Sequence, residues 1–215
     1  MLVQDVMTKN VVTIPADTSL AEAKRIMQQK RLKRLPVVEK GRLLGVVTEQ
    51  RLDHLAPGKA TTLTLWEVGY LLENTPVSKI MQKEVVTVTP DMTVEEALAT
   101  AQSNKVGSLV VLDSDRKVMG IITTNDFFYK IANKVLGLNE PGFRVQVEGG
   151  GEAPELARAL AVVNQRGGRL VTVHVLDPAK RKKKKDVVLH VDGENPEAFL
   201  ADLAGAGFSA FIRKR

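Results

Sequence analysis

Apolar and polar positions run through the same order twice in the first part of the chain, at a spacing of about 74 residues. Val3 to Leu52 and Val77 to Phe127 match segment by segment, and one extra residue near Asp115 moves the last strands to a spacing of 75. Each copy opens with a short β-branched run, Val11-Val12-Thr13-Ile14 or Val85-Val86-Thr87-Val88, which predicts a strand. Ser19-x-x-Glu22 and Thr93-x-x-Glu96 then read as capping boxes at helix starts. Leu20, Ala23 and Met27, or Val94, Ala97 and Ala101, follow at helical spacing and predict one apolar face. Two strands come next in each copy, 35–38 with 43–47 and 109–112 with 118–122, separated by polar turns that predict antiparallel hairpins. A further helix is expected after the last strand, clearest over 127–136 and stopped by Gly137.

Between the copies, Leu65, Val68 and Leu72 predict an amphipathic helix within an insert. Trp66 and Tyr70 share one flank of it, and two readings stand open: packing, on the module or at a dimer contact, or a lid over a ligand. Residues 138–142 have linker chemistry. The pattern then changes to strand 143–147, a helix opened by Pro154 and ended at Gly167-Gly168, strands 170–176 and 187–191, a helix capped by Asn195-Pro196, and strand 208–212. That order is ferredoxin-like. The chain therefore reads as an α+β protein with parts at 1–55, 56–76, 77–137, 138–142 and 143–215.

Composition narrows the function classes. The 215 residues carry 44% hydrophobic and 26% charged positions and no cysteine, so disulfides, thiolate chemistry and zinc fingers are excluded. The absence of a long apolar run and of a leader pattern at the amino terminus makes a cytoplasmic, membrane-free protein the expectation. The net charge of +6 equals the six cations of Lys180 to Lys185, so the basicity belongs to one loop. A solvated hairpin tip is the simpler reading of that run; polyanion binding is the alternative. No Walker loop, nucleophile elbow or metal-spaced histidine set is present, and no enzyme is expected. His174 and His190 fall on neighbouring predicted strands, where exposed sheet histidines are expected and a surface metal site is the alternative.

The candidate chemistry lies where each hairpin runs into its second helix. Gly120-Ile121-Ile122-Thr123-Thr124-Asn125-Asp126 places Thr123 and Asp126 three apart on a helix-opening turn. Both can face one cleft, where the carboxylate can accept hydrogen bonds from ribose hydroxyls and the threonine can serve ribose or phosphate. Asp126 could instead cap the helix, and the two roles are compatible. In the first copy, Gly45-Val46-Val47-Thr48-Glu49-Gln50-Arg51 ends in a guanidinium, which cannot accept a hydrogen bond.

On Asp17 and Asp91, the segment Leu35-Pro36-Val37-Val38 and the two Gly-hydrophobic-hydrophobic-Thr runs, residues 1–135 resemble a tandem cystathionine-β-synthase (CBS) pair, or Bateman module. The resemblance implies a pocket in which Asp126 and Thr123 are joined by Val12 as a backbone contact to adenine and by Leu32 and Lys33 as walls. It also implies Arg34 as a phosphate partner and Ile121 against the base. The pseudo-symmetric pocket would use Thr48, Arg51, Val86, Val106, Gly107 and Ser108, and is either empty or holds a more anionic ligand. Placed after such a pair, residues 143–215 resemble an ACT domain, although Glu148-Gly149-Gly150-Gly151-Glu152-Ala153 stands where that family often has Pro-Gly. The whole order resembles the acetoin-utilisation AcuB-type proteins. What this implies is a non-catalytic sensor that binds AMP, ADP, ATP or S-adenosylmethionine as a regulatory ligand, needs no cofactor or metal, and forms a homodimer. An amino acid at the ACT-like part is a further implied ligand; nucleic acid is not an expected partner. The alternative is a dimerisation scaffold with vestigial pockets.

Overall fold

The computed structural model describes residues 1–55, 64–177 and 184–213, which fall into two compact units, Met1–Lys130 and Ile131–Arg215. Insert residues 56–63 and lysine-run residues 180–183 lie outside the described residues.

In the first unit, α1 (Val3–Val6) precedes α2 (Leu20–Lys30), whose Leu20, Ala23 and Met27 are buried as their spacing predicts. The Ser19 hydroxyl caps α2 by accepting from the Glu22 N–H at 3.2 Å, while the Glu22 carboxylate pairs with Arg25 and leaves the box one-sided. Strands β1 (Arg34–Glu39) and β2 (Arg42–Thr48) form an antiparallel hairpin and run into α3 (Glu49–Leu55). The insert helix is α4 (Leu65–Asn74), with a reciprocal box between Thr64 and Glu67. Its Leu72 packs on the core of Ile14, Leu20, Met27, Leu35, Val37 and Val47. Trp66 and Tyr70 stack on each other at 5.8 Å and remain 75% and 58% exposed.

The second copy repeats this plan with β3 (Thr87–Val88), α5 (Val94–Ser103), β4 (Ser108–Leu112) and β5 (Val118–Thr123). Strand β4 pairs parallel with β3 and antiparallel with β5. The four-residue strands expected at 11–14 and 85–88 are shorter than predicted. Only Ile14 pairs, bridging to Val37, and only Thr87 and Val88 extend the second sheet. The shortfall is at the start of each strand: Val11 to Thr13 and Val85 to Val86 lie outside the ladders, while the ends fall where expected.

The copies are joined by exchange. Thr8, at the start of the first copy, trades both backbone hydrogen bonds with Ile121 in β5 (2.9 and 3.0 Å). Gln82, its counterpart in the second copy, does the same with Val46 in β2 (2.9 Å each). The approach is close enough to require glycine. A Cβ on Gly45 would lie 2.7 Å from the Gln82 carbonyl oxygen, and one on Gly120 would strike the Met7 sulfur. After β5 the chain enters α6 (Thr124–Asp126), a π-helical turn (Phe127–Ala132) and α7 (Asn133–Leu136). Gly137 stops this run in the left-handed region at φ +60°, as expected from sequence.

In the second unit, β6 (Phe143–Val147), α8 (Ala153–Gln165), β7 (Arg169–Leu176), β8 (Asp186–Asp192), α9 (Pro196–Gly205) and β9 (Ala210–Arg213) follow in order. The strands form one antiparallel sheet in the order β7-β8-β6-β9, a split βαββαβ arrangement. Val145, Val147, Val187, Leu189 and Val191 meet Ala159, Val162, Val163, Phe199 and Leu203 of the two helices. The Phe143 and Phe199 rings pack edge to face at 5.6 Å. Along β8 even the alternate residues are buried, and this corrects the expectation of an exposed His190: its side chain is inaccessible, with Nε2 2.9 Å from the Pro141 carbonyl oxygen. The segment leading into β6 covers that face, since a Cβ on Gly137 would lie 2.8 Å from the His190 ring. His174 is half-buried, and among the described residues no group of three or more His, Cys, Asp or Glu side chains could hold a metal ion.

Candidate adenosyl-ligand cleft

Chain exchange between the copies produces two clefts in the first unit. One, of about 430 Å³, is lined by all seven residues expected there: Val12, Leu32, Lys33, Arg34, Ile121, Thr123 and Asp126. The segment before α2 supplies Val12, the turn from α2 into β1 supplies Leu32, Lys33 and Arg34, and the end of β5 with α6 supplies the rest. The volume falls within the range of small-molecule sites. The other cleft, of about 530 Å³, is lined by Thr48, Arg51, Val86, Val106, Gly107 and Ser108, the residues named for the pseudo-symmetric pocket. Lys33, Arg34 and Gly107 border both clefts.

The turn at Thr123 is a reciprocal box. Thr123 is the N-cap, its hydroxyl accepting from the Asp126 N–H at 3.4 Å. Asp126 Oδ2 in return accepts from the Thr123 N–H at 2.8 Å and the Thr123 hydroxyl at 2.7 Å. Asp126 is therefore not the cap but the third helical residue that locks it, and the capping alternative is corrected in that sense. Its second oxygen, Oδ1, lies 2.6 Å from Lys130 Nζ. Asp126 is only 7% exposed. Burial pushes its carboxyl up, but the hydrogen bonds from Lys130 and Thr123 and the Lys130 charge outweigh burial and hold it below the ordinary aspartate value. Lys130 also donates to the Val6 carbonyl oxygen at 2.8 Å.

Sequence reasoning did not single out Lys130, although its i,i+4 spacing from Asp126 was readable. Thr8 and Asn10 were missed for a different reason, because only folding carries the 8–10 segment to β5, whereas Arg31, Thr124 and Asn125 adjoin residues the motif had named. Arg34 is half-buried, and burial lowers its pKa from the ordinary arginine value; it donates from Nη1 to Ser108 Oγ. It remains charged, as arginine does in proteins. Arg34 thus stands in the wall between the clefts, a cation able to meet an anionic group in either.

In the second cleft, the Thr48 hydroxyl accepts from the Arg51 N–H at 3.3 Å, the same cap as in the first. Arg51 has no carboxylate to return to the turn. Its Nη1 donates instead to the Ile80 carbonyl oxygen at 2.8 Å. Lys33, Arg34, Arg51 and Lys105 give this cleft a cationic lining against the single carboxylate of Glu49.

The CBS domain model matches residues 3–56 and 77–133, just over half of the chain. A homoserine O-acetyltransferase from Methanohalobium evestigatum is 32% identical over 127 residues, which are 58% of this chain and 23% of that enzyme. The chain thus spans about a quarter of the length of that curated relative. Among solved structures, an acetoin utilization (AcuB) protein from Vibrio cholerae is 30% identical with a TM-score of 0.54, covering 65% of this chain and 96% of the other. CBSX2, solved in complex with AMP, is 25% identical with a TM-score of 0.51, covering 61% and 96%. With a repeat that matches over both copies, exchanged segments and two clefts at the copy interface, this chain belongs to the CBS-domain family as a tandem pair.

Proposed function

We propose that the chain is a non-catalytic, cytoplasmic regulatory protein that binds an adenine nucleotide or related adenosyl ligand in the Asp126 cleft. The observation that carries this reading is the convergence, in one cavity of about 430 Å³, of an ionised carboxylate, apolar walls and the cations of Lys33 and Arg34. A ribose suits the carboxylate, a purine suits Val12, Leu32 and Ile121, and a phosphate suits the basic pair. The AMP complex of the related CBSX2 supports the same ligand class. The ACT-like assignment of the second unit rests on its βαββαβ order, and an amino-acid ligand there would follow from that assignment. Gly150 is explained by packing, since a Cβ would lie 2.9 Å from methyls of Val147 and Val187. The neighbouring turn is held by buried Asp186, which accepts from Gln146 Nε2 at 2.8 Å and the Gly149 N–H at 2.9 Å. A homodimer is part of the proposal.

The alternative, a dimerisation scaffold with vestigial pockets, is favoured by one observation: in the second cleft Arg51 stands at the position that Asp126 holds in the first, and its guanidinium is turned to the Ile80 carbonyl oxygen. Calorimetric titration with AMP, ADP, ATP and S-adenosylmethionine separates the two. Saturable binding of about one ligand per chain, lost in Asp126→Ala, is expected of the sensor. No binding of any ligand, by calorimetry and by thermal shift, overturns it.

A further inference from the structure

We infer that Lys130 sets the hydroxyl selectivity of the cleft, by occupying Asp126 so that the carboxylate accepts one ribose hydroxyl rather than two. The inference rests on the adenosyl-ligand reading above and adds a residue to it. A carboxylate offers about four lone-pair positions. In Asp126, Oδ2 already accepts two hydrogen bonds from Thr123 and Oδ1 accepts one from Lys130, which leaves one position. A vicinal diol brings two donors. The Thr123 bonds belong to the helix cap and are not given up without loss of that turn. Lys130 is the partner that a substitution can remove without touching the cap, and its second bond, to the Val6 carbonyl oxygen at 2.8 Å, holds the ammonium on Asp126 against an incoming diol.

Two consequences distinguish this arrangement from one in which Lys130 merely positions the carboxylate. A nucleoside lacking the hydroxyl that is not accepted loses little, whereas one lacking the accepted hydroxyl loses a charged hydrogen bond. Without Lys130, both hydroxyls are accepted and each deletion is felt. Neutral nucleosides are the appropriate probes, since removing a cation also changes the attraction for phosphate.

The experiment measures the binding of adenosine, 2′-deoxyadenosine and 3′-deoxyadenosine to the full chain, to Lys130→Met and to Lys130→Arg. In the unaltered protein, one deoxynucleoside is expected to bind within about threefold of adenosine and the other about tenfold or more weaker, the loss of one hydrogen bond to a charged group. In Lys130→Met, adenosine should bind about tenfold tighter and both deoxynucleosides should fall about tenfold or more below it. Lys130→Arg should keep the unaltered pattern. Equal losses for both deoxynucleosides in the unaltered protein overturn the inference. So does weaker adenosine binding by Lys130→Met with the selectivity unchanged, which is the outcome of a purely positioning role. Should Lys130→Met fail to fold, the comparison within the unaltered protein decides alone. Binding of adenosine with the wrong selectivity defeats the inference and leaves the adenosyl reading standing, whereas no nucleoside or nucleotide binding by any form defeats both.

Discussion

The two clefts of the first unit share three wall residues and the same threonine cap, and they differ in how a cation reaches one backbone carbonyl. In the second copy, Lys130 donates to the Val6 carbonyl oxygen and pairs with Asp126 on the way. In the first copy, Arg51 stands at the position of the aspartate and donates directly to Ile80, the residue that matches Val6 in the repeat. The structural demand for a cation at that carbonyl is met on both sides. Only one side keeps a carboxylate at the third position of the turn; the carboxylate that lines the other cleft is Glu49, at the first. The difference teaches that a repeat can change the charge of its cleft without losing its fold.

The largest expected effect comes from making the two sides alike. Asp126→Arg should abolish nucleoside binding by isothermal calorimetry while leaving a cooperative thermal transition. Retained binding would move the ligand out of this cleft. Next come the glycines that admit the exchanged segments. Gly45→Ala should lower stability by about 1–3 kcal/mol in urea unfolding, because its Cβ meets the Gln82 backbone oxygen at 2.7 Å. Gly120→Ala should cost less, because its Cβ meets chiefly the side chain of Met7, which is flexible. The reverse order would place the rigid crossing on the other side.

A smaller effect is expected at the shared wall. Arg34→Met should weaken AMP more than adenosine, by roughly tenfold in the ratio of dissociation constants, as for one charged hydrogen bond. An unchanged ratio would assign the phosphate to another cation. The smallest effect is on pH dependence. The folded-state pKa of Asp126 is depressed, so its contribution is present above the ordinary aspartate value of about 3.9 and is lost as pH falls through the lower folded value. Thermal unfolding of Asp126→Asn should therefore show a shallower loss of stability below about pH 4 than the unaltered chain. Arg51→Met removes no carboxylate and should leave the slope as it is.

Legibility differed by the range of the physics involved. Helix starts at Ser19, Thr93 and Asn195 were readable because capping is settled within three residues. The hairpins were readable from alternation and turns. The short strands at 11–14 and 85–88 were over-read, because β-branched composition does not reveal where the backbone donors go. His190 was misread because its strand is covered on both faces, and one strand's sequence does not say what lies over it. The cleft residues were placed through resemblance to a family, while Lys130 was overlooked because its role depends on two partners at once, one adjacent and one 124 residues away.

By itself the sequence determined the repeat, the capped helices and hairpins of both copies, the βαββαβ order of the second unit and the replacement of an acceptor by a cation at Arg51, since these follow from local periodicity and from the chemistry of single side chains. Only the tertiary structure decided that Thr8 would pair with Ile121 and Gln82 with Val46, that Arg34 would stand between two cavities, and that Lys130 would reach the Val6 carbonyl oxygen. Those contacts join segments far apart in the chain, and their geometry exists only once both copies have packed against each other.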